Sequence, residues 1–314
     1  MPSKIEWTGE TWNPIVGCTI HSPGCKRCYA MREAWMKQHH PNPKIAGKYE
    51  GVTHKVNDKP VWTGRINFSE TALLEPLFCR TPKTYFVNSM SDLFHEDIPD
   101  EQIDRVFSMM ALCPQHIFQV LTKRSQRMRE YVADLPNRSG SIVIAAMRSY
   151  PGYVDSEVCI SDVPLPLPNV WLGVSAEDQT RADERREDLR ATPAAVKFVS
   201  YEPALGPVDW TGWEFVDQII SGGESGPGSR PSHPDWHRAT RDFCADNGIA
   251  YFFKQWGDWF RYGEIDAEGH QNSVTKGEKA GYWHEWPAGE FSVRIGKAKA
   301  GAHLDGREHR EMPL

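Results

Sequence analysis

The sequence predicts an α/β fold, a partial (β/α) barrel built on a parallel sheet, and three observations carry that expectation. Short β-rich runs recur along the 314 residues, periodic or charge-rich helical stretches lie between them, and the length suits one large domain or two modest ones. The runs are Thr11–Val16, Thr84–Met90, His116–Thr122, Val170–Ala176, Val196–Tyr201, Asp217–Gly222 and Ala250–Gln255, each rich in β-branched and aromatic residues.

The helices follow from their start and stop signals. Asp100–Leu112 begins behind Pro99 with acids in its first turn and stops before Pro114. Ala176–Arg190 is charge-rich and ends before Pro193, and Pro234–Asn247 starts on a proline and ends at Gly248. His39–Gly64 and Arg138–Asn169, the latter closing in Pro-Leu-Pro-Leu-Pro-Asn, read as loop insertions on a barrel rim. After Gly257 the composition turns to Gly, Glu, Trp and His without helical periodicity. The expected organisation is therefore a domain over 1–257 and an irregular or small-β extension over 258–314.

Composition excludes several classes. Mean hydropathy is −0.56, and no apolar run approaches the ~18 residues that a membrane helix needs. The first ten residues lack the apolar stretch of a secretory signal, so the expectation is a cytoplasmic protein with no membrane role. A net charge of −6 argues against a wholly basic nucleic-acid binder while leaving room for a local basic groove. The seven cysteines are Cys18, Cys25, Cys28, Cys79, Cys113, Cys159 and Cys244; an odd number in so long a chain is no disulfide framework.

Three of them cluster. Trp-Asn-Pro-Ile-Val-Gly-Cys-Thr-Ile-His-Ser-Pro-Gly-Cys-Lys-Arg-Cys-Tyr-Ala (12–30) spaces Cys18, Cys25 and Cys28 as Cys-x6-Cys-x2-Cys just after the first predicted strand, where active sites sit in βα barrels. Three thiolates suit a [4Fe-4S] cluster whose fourth iron has no protein ligand. They equally suit zinc, with His21 or a distant cysteine as fourth ligand. Spacing does not choose between the two.

These residues resemble the radical S-adenosylmethionine (SAM) superfamily, and most closely a phage and bacterial family of three-cysteine-motif proteins opening on a similar Glu-Trp-Thr, Thr-Trp-Asn-Pro and Cys stretch. Ser-Gly-Gly-Glu-Ser-Gly (221–226), Phe-Phe-Lys-Gln-Trp-Gly (252–257) and Leu-Asp-Gly (304–306) extend the resemblance over nearly the whole chain. The usual superfamily motif is Cys-x3-Cys-x2-Cys, so the first gap here is longer. The spore photoproduct lyase branch is similar at four points in order: Tyr29-Ala30 after the last cysteine, a strand ending in Ser91-Asp92, one ending in Thr122-Lys123, and one ending in Ser175.

The resemblance implies a radical SAM barrel in which Cys18, Cys25 and Cys28 hold the cluster and SAM binds its open iron. Ser91 and Asp92 would accept from the SAM ammonium, and Lys123 would pair with its carboxylate. Ser175 and Glu177 would meet the ribose, Tyr29 would pack near the adenine, and Glu202 would contact SAM or substrate. An external one-electron reductant would drive cleavage of SAM to a radical that takes a substrate hydrogen, with Lys254 at the barrel mouth as a catalytic candidate. Kinship with a DNA-lesion lyase implies a nucleic acid or nucleotide substrate. Lys123, Arg124, Arg127, Arg129, Arg230 and Lys254 would then contact phosphates.

Each residue also has a plainer reading. Asp92 and Ser175 would serve as helix or turn caps, Lys123 as a solvated strand end, and Glu224 with Arg230 as charges on a flexible glycine-rich turn. The alternative of a different class is a non-catalytic, zinc-stabilised module that binds nucleic acid or a partner.

Overall fold

The structure is a computed structural model that describes residues 5–150, 164–261 and 282–313. The strands are β1 (Glu10–Trp12), β2 (Ile15–Val16), β3 (Thr53–Val56), β4 (Lys59–Trp62), β5 (Asn67–Phe68), β6 (Thr84–Val87), β7 (Ile117–Thr122), β8 (Val170–Ser175), β9 (Val196–Tyr201), β10 (Gln218–Gly222), β11 (Ala250–Gln255), β12 (Trp259–Arg261), β13 (Trp283–Glu285) and β14 (Phe291–Arg294). The helices are α1 (Tyr29–Gln38), α2 (Pro43–Lys48), α3 (Glu70–Leu73), α4 (Asp100–Leu112), α5 (Ser125–Ala133), α6 (Leu135–Ser149), α7 (Gln179–Ala191), α8 (Pro234–Asn247) and α9 (Lys297–Ala300).

Seven strands form a parallel sheet in the order β1-β6-β7-β8-β9-β10-β11, as the alternation of strands and helices predicts. The chain divides into two compact units. One comprises the described residues up to Val174 with Glu187–Lys197; the other comprises Ser175–Arg186 with those from Phe198 onward.

In the first unit the predicted strand Thr11–Val16 is split. Pro14 has no N–H to continue a ladder, so β1 pairs parallel with β6 while β2 turns away to pair antiparallel with β5. Beyond β6, the register runs Phe86↔Gln119 into β7 and Gln119↔Trp171 into β8. Helix α4 has the predicted bounds and buries Ile103, Val106, Phe107 and Met110. At its side Asp104, almost wholly buried, accepts from Tyr131 Oη at 2.8 Å and from Arg138 at 3.0 and 2.8 Å. That buried acid is satisfied on both oxygens, as a charge out of water must be.

Both predicted insertions prove to contain regular structure. His39–Gly64 holds α2 and the β3–β4 hairpin, whose turn residues Asn57 and Asp58 both have positive φ, 47° and 59°. A two-residue turn of that hand matches strand twist. Together with α1 the hairpin encloses an apolar cluster of Val16, Met31, Ala34, Val52, Trp62 and Met90. Arg138–Asn169 begins inside α6; Cys159 and its neighbours from 151 to 163 lie outside the described residues.

In the second unit β9, β10 and β11 pair parallel. Helix α8 also has its predicted bounds, capped at its start by His233 and stopped by Gly248 at φ 67°. The extension expected after Gly257 contains a small antiparallel sheet in the order β12-β14-β13. The last residues return to β11, where Phe253 N donates to His309 O at 3.0 Å and the Arg310 guanidinium lies over the Phe252 ring. Among the described residues no helix is long and apolar enough to cross a membrane.

Candidate functional site

The cysteine loop begins at Gly17, whose φ is +100°. A Cβ there would stand 2.1 Å from Arg65 O, and its N–H donates to Met90 O at 3.0 Å. Only glycine allows the backbone to enter the loop so close to its neighbours. A 3-10 turn over Pro23–Arg27 then carries Cys25, and Cys28 caps the start of α1.

Cys25 is buried, with its Sγ 3.7 Å from Ser22 Oγ. Cys18 and Cys28 pack against the apolar cluster of α1 and the hairpin. Burial, then the Asp92 carboxylate, pushes the Cys18 thiol up to about 12, while Arg124 pulls it back. Burial also raises the Cys28 thiol, opposed by the backbone N–H of Ala30 at the N-terminus of α1 and by the charge of Lys123. All six described cysteines are free thiols; Cys79 precedes β6, Cys113 ends α4 and Cys244 lies in α8.

The turn after β6 faces this loop. Asn13 Oδ1 accepts from Ser89 Oγ at 3.1 Å and Met90 N at 3.0 Å, which ties the turn to the segment leading into the cysteines. Ser91 Oγ donates to Ile15 O at 3.0 Å, leaving its oxygen able to accept a further bond. Tyr29, half exposed, donates from its hydroxyl to Ser89 O at 3.1 Å. Lys123 follows the last residue of β7, as predicted, and is half-buried.

Asp92 differs from the expected open acceptor. Its Oδ1 accepts from Thr122 Oγ1 at 2.6 Å and Phe94 N at 3.1 Å, and its Oδ2 from Lys123 N at 3.0 Å and Arg124 Nη1 at 3.1 Å. It is the knot joining two strand ends. Arg124, expected to contact phosphate, turns inward and completes the network with Thr19, Glu96 and His95, which the sequence reading passed over. Arg124 Nη2 donates to Thr19 Oγ1 at 2.7 Å and its Nε to Glu96 at 2.8 Å, while His95 Nε2 lies 2.8 Å from Thr19 Oγ1. Thr19, Glu96 and His95 carried no signal in the sequence.

The remaining predicted residues lie in the second unit. Ser175 ends β8, and its carbonyl accepts from Arg185 Nη1 at 2.6 Å. Glu177, fully buried, pairs with the same guanidinium at 2.9 Å. Beyond β9, Glu202 accepts from Lys254 Nζ on β11 at 2.7 and 2.9 Å and from Gln255 Nε2 at 3.4 Å.

The glycine-rich turn is a clamp. Arg230 meets Glu224 with its backbone N at 2.8 Å and its guanidinium Nε at 2.9 Å, and a Cβ on Gly223 would stand 2.0 Å from Trp256 O. The other expected phosphate contacts also have internal partners. Arg127 donates to His95 O and Ile98 O and pairs with Asp100, and Arg129 pairs with Asp188 at 2.9 Å.

No curated protein and no solved structure matches the chain. A family model described as "Protein of unknown function (DUF5131)" matches residues 2–313, and the chain belongs to that family.

Proposed function

We propose that this chain is a radical SAM enzyme in which Cys18, Cys25 and Cys28 hold a [4Fe-4S] cluster. The observation that carries the reading is the gathering of three thiols, near enough to act on one another's charge, in the one loop that follows β2. That loop is closed behind by a packed apolar wall and entered through a glycine that no other residue could replace without displacing backbone. The donor set fits the group: three thiols in one sheltered loop, with a helix start and Lys123 favouring the thiolate of Cys28.

When bound, the cluster and SAM supply a one-electron cleavage that yields a hydrogen-abstracting carbon radical. The chain's own residues do the rest. Ser91 offers an acceptor for the SAM ammonium and Lys123 a cation for its carboxylate. Asp92 fixes where Lys123 begins by accepting its backbone N–H. The hairpin, α1 and Met90 exclude water behind the loop. In the second unit Glu202 and Lys254 form a partly buried ion pair where β9 and β11 end. The nucleic acid or nucleotide substrate implied by the resemblance enters this reading without a phosphate-tracking row, because Arg127, Arg129 and Arg230 are occupied internally.

The test is anaerobic reconstitution with iron, sulfide and zinc quantified beside the absorption and EPR spectra. Cys18→Ala, Cys25→Ala and Cys28→Ala each lose the cluster, while Cys79→Ala, Cys113→Ala and Cys244→Ala keep it. Lys123→Ala keeps the cluster and loses SAM affinity, since truncating one partner of a buried charge pair costs ~2–5 kcal/mol. Stoichiometric zinc without iron, or an EPR signal indifferent to SAM, refutes the reading.

A further inference from the structure

We infer that Asp92 and Arg124 are a buried charge doublet that sets the reduction potential of the group held by the three cysteines, acting chiefly on Cys18. The inference rests on the reading of those cysteines as cluster ligands.

Both members are nearly sealed from water, with 6% of each exposed. Four donors face the Asp92 carboxylate, the surroundings of an anion. Arg124 reaches past it to Thr19, the residue that follows Cys18 and whose carbonyl lies 3.5 Å from Cys18 Sγ. His95 is the other neighbour of Thr19 Oγ1. Its Nδ1 accepts from Asp97 N at 3.1 Å, which places the ring proton on Nε2, and burial together with Arg124 lowers its affinity for a second proton. Glu96 also pairs with Arg124, but its side chain is 60% exposed and water screens it.

Thr19 joins the doublet to Cys18, its hydroxyl bonded to Arg124 and its carbonyl against the Cys18 sulfur, so the two buried charges, 3.1 Å apart, act on that sulfur with opposite signs. Reduction adds one electron, supplied by the titrant, with no proton and no bond made or broken. Asp92 therefore opposes that electron and Arg124 favours it, because opposed charges at short range in a dry interior do not cancel. They are positioning residues for the site, acting through its field.

The experiment is an EPR-monitored redox titration of the full reconstituted chain. D92N shifts the potential up and R124Q shifts it down. R124K, which keeps the charge but loses the fork, stays near wild type, and E96Q leaves the potential unchanged. The double variant D92N/R124Q strands no buried charge and its potential falls below that of D92N and above that of R124Q, so it carries the test beside whichever single variant retains iron. Equal shifts for R124Q and R124K, a downward or absent shift for D92N, a double variant outside the interval between the two singles, or an E96Q shift as large as that of D92N, overturns the inference. Iron missing from the wild type overturns the cluster reading itself. Iron present with potentials unmoved overturns only this one.

Discussion

Replacing Gly17 by alanine tests whether the backbone entry into the cysteine loop is as constrained as its geometry indicates. At φ +100° an L-residue carries ~1–2 kcal/mol of steric strain. The added methyl would sit 2.1 Å from Arg65 O and 3.3 Å from Ile66 Cα, both backbone, so no flexible side chain can swing aside. Forcing atoms into such a packed place costs a further ~1–3 kcal/mol. The combined loss of about 2–5 kcal/mol is a large part of a typical stability of ~5–15 kcal/mol. In urea, with an m-value of ~2 kcal/mol/M, the midpoint falls by about 1–2.5 M. Circular dichroism measures the midpoint, and iron retained after desalting measures the loop. Gly47→Ala is the control, because Gly47 lies within α2 with nothing within 4 Å of its would-be Cβ; it should be neutral or gain ~0.5–1 kcal/mol. If Gly17→Ala matches Gly47→Ala in both midpoint and iron content, the argument from close approach is refuted.

Two further outcomes follow from the second unit. His237, wholly buried between Ser221 Oγ at 2.5 Å and Ser232 Oγ at 3.0 Å, has its proton affinity lowered by burial, then by His233 and Arg238, to about 3. Its folded value lies below the unfolded ~6.5, so its contribution is fully present above pH 6.5 and is lost at ~1.4 kcal/mol per unit as pH falls toward 3. Wild type should accordingly lose about 2 kcal/mol more than His237→Gln between pH 7 and 5 in chemical denaturation, and parallel losses would contradict it. Among the described residues, Lys254→Ala leaves Glu202 with the bond from Gln255 Nε2 at 3.4 Å. Because the two side chains are 13% and 17% exposed, the expected loss of about 1–3 kcal/mol is below that of a fully buried pair. Glu202→Gln combined with Lys254→Met should recover most of it, and strictly additive single and double losses would show that the two do not interact.

The sequence by itself determined the alternation of strands and helices. Local signals sufficed there: β-branched runs for β7 through β11, a Pro-led acidic start for α4, and Gly248 after α8. It also determined that Lys123 and Ser175 stand at strand ends and that the three cysteines follow the first strand segment, since a strand-then-polar pattern is local too. The hairpin of β3 and β4 was legible only in part, through Asn57-Asp58, because its few apolar residues are set by packing against α1 rather than by an alternating pattern.

Tertiary structure alone decided what each polar group touches. Asp92 looked like a free acceptor because nothing local indicates that Thr122, Lys123 N and Arg124, some thirty residues away, close on it. The charged run from Lys123 to Arg129 looked like an open edge because its partners, Glu96, Asp100 and Asp188, come from other segments. Thr19 and His95 left no trace in one dimension, because a hydrogen bond between residues 76 apart exists only once the chain has folded. Strand and helix are set by neighbours along the chain; charge pairing and burial are set by neighbours in space, and the candidate site depends on the second kind.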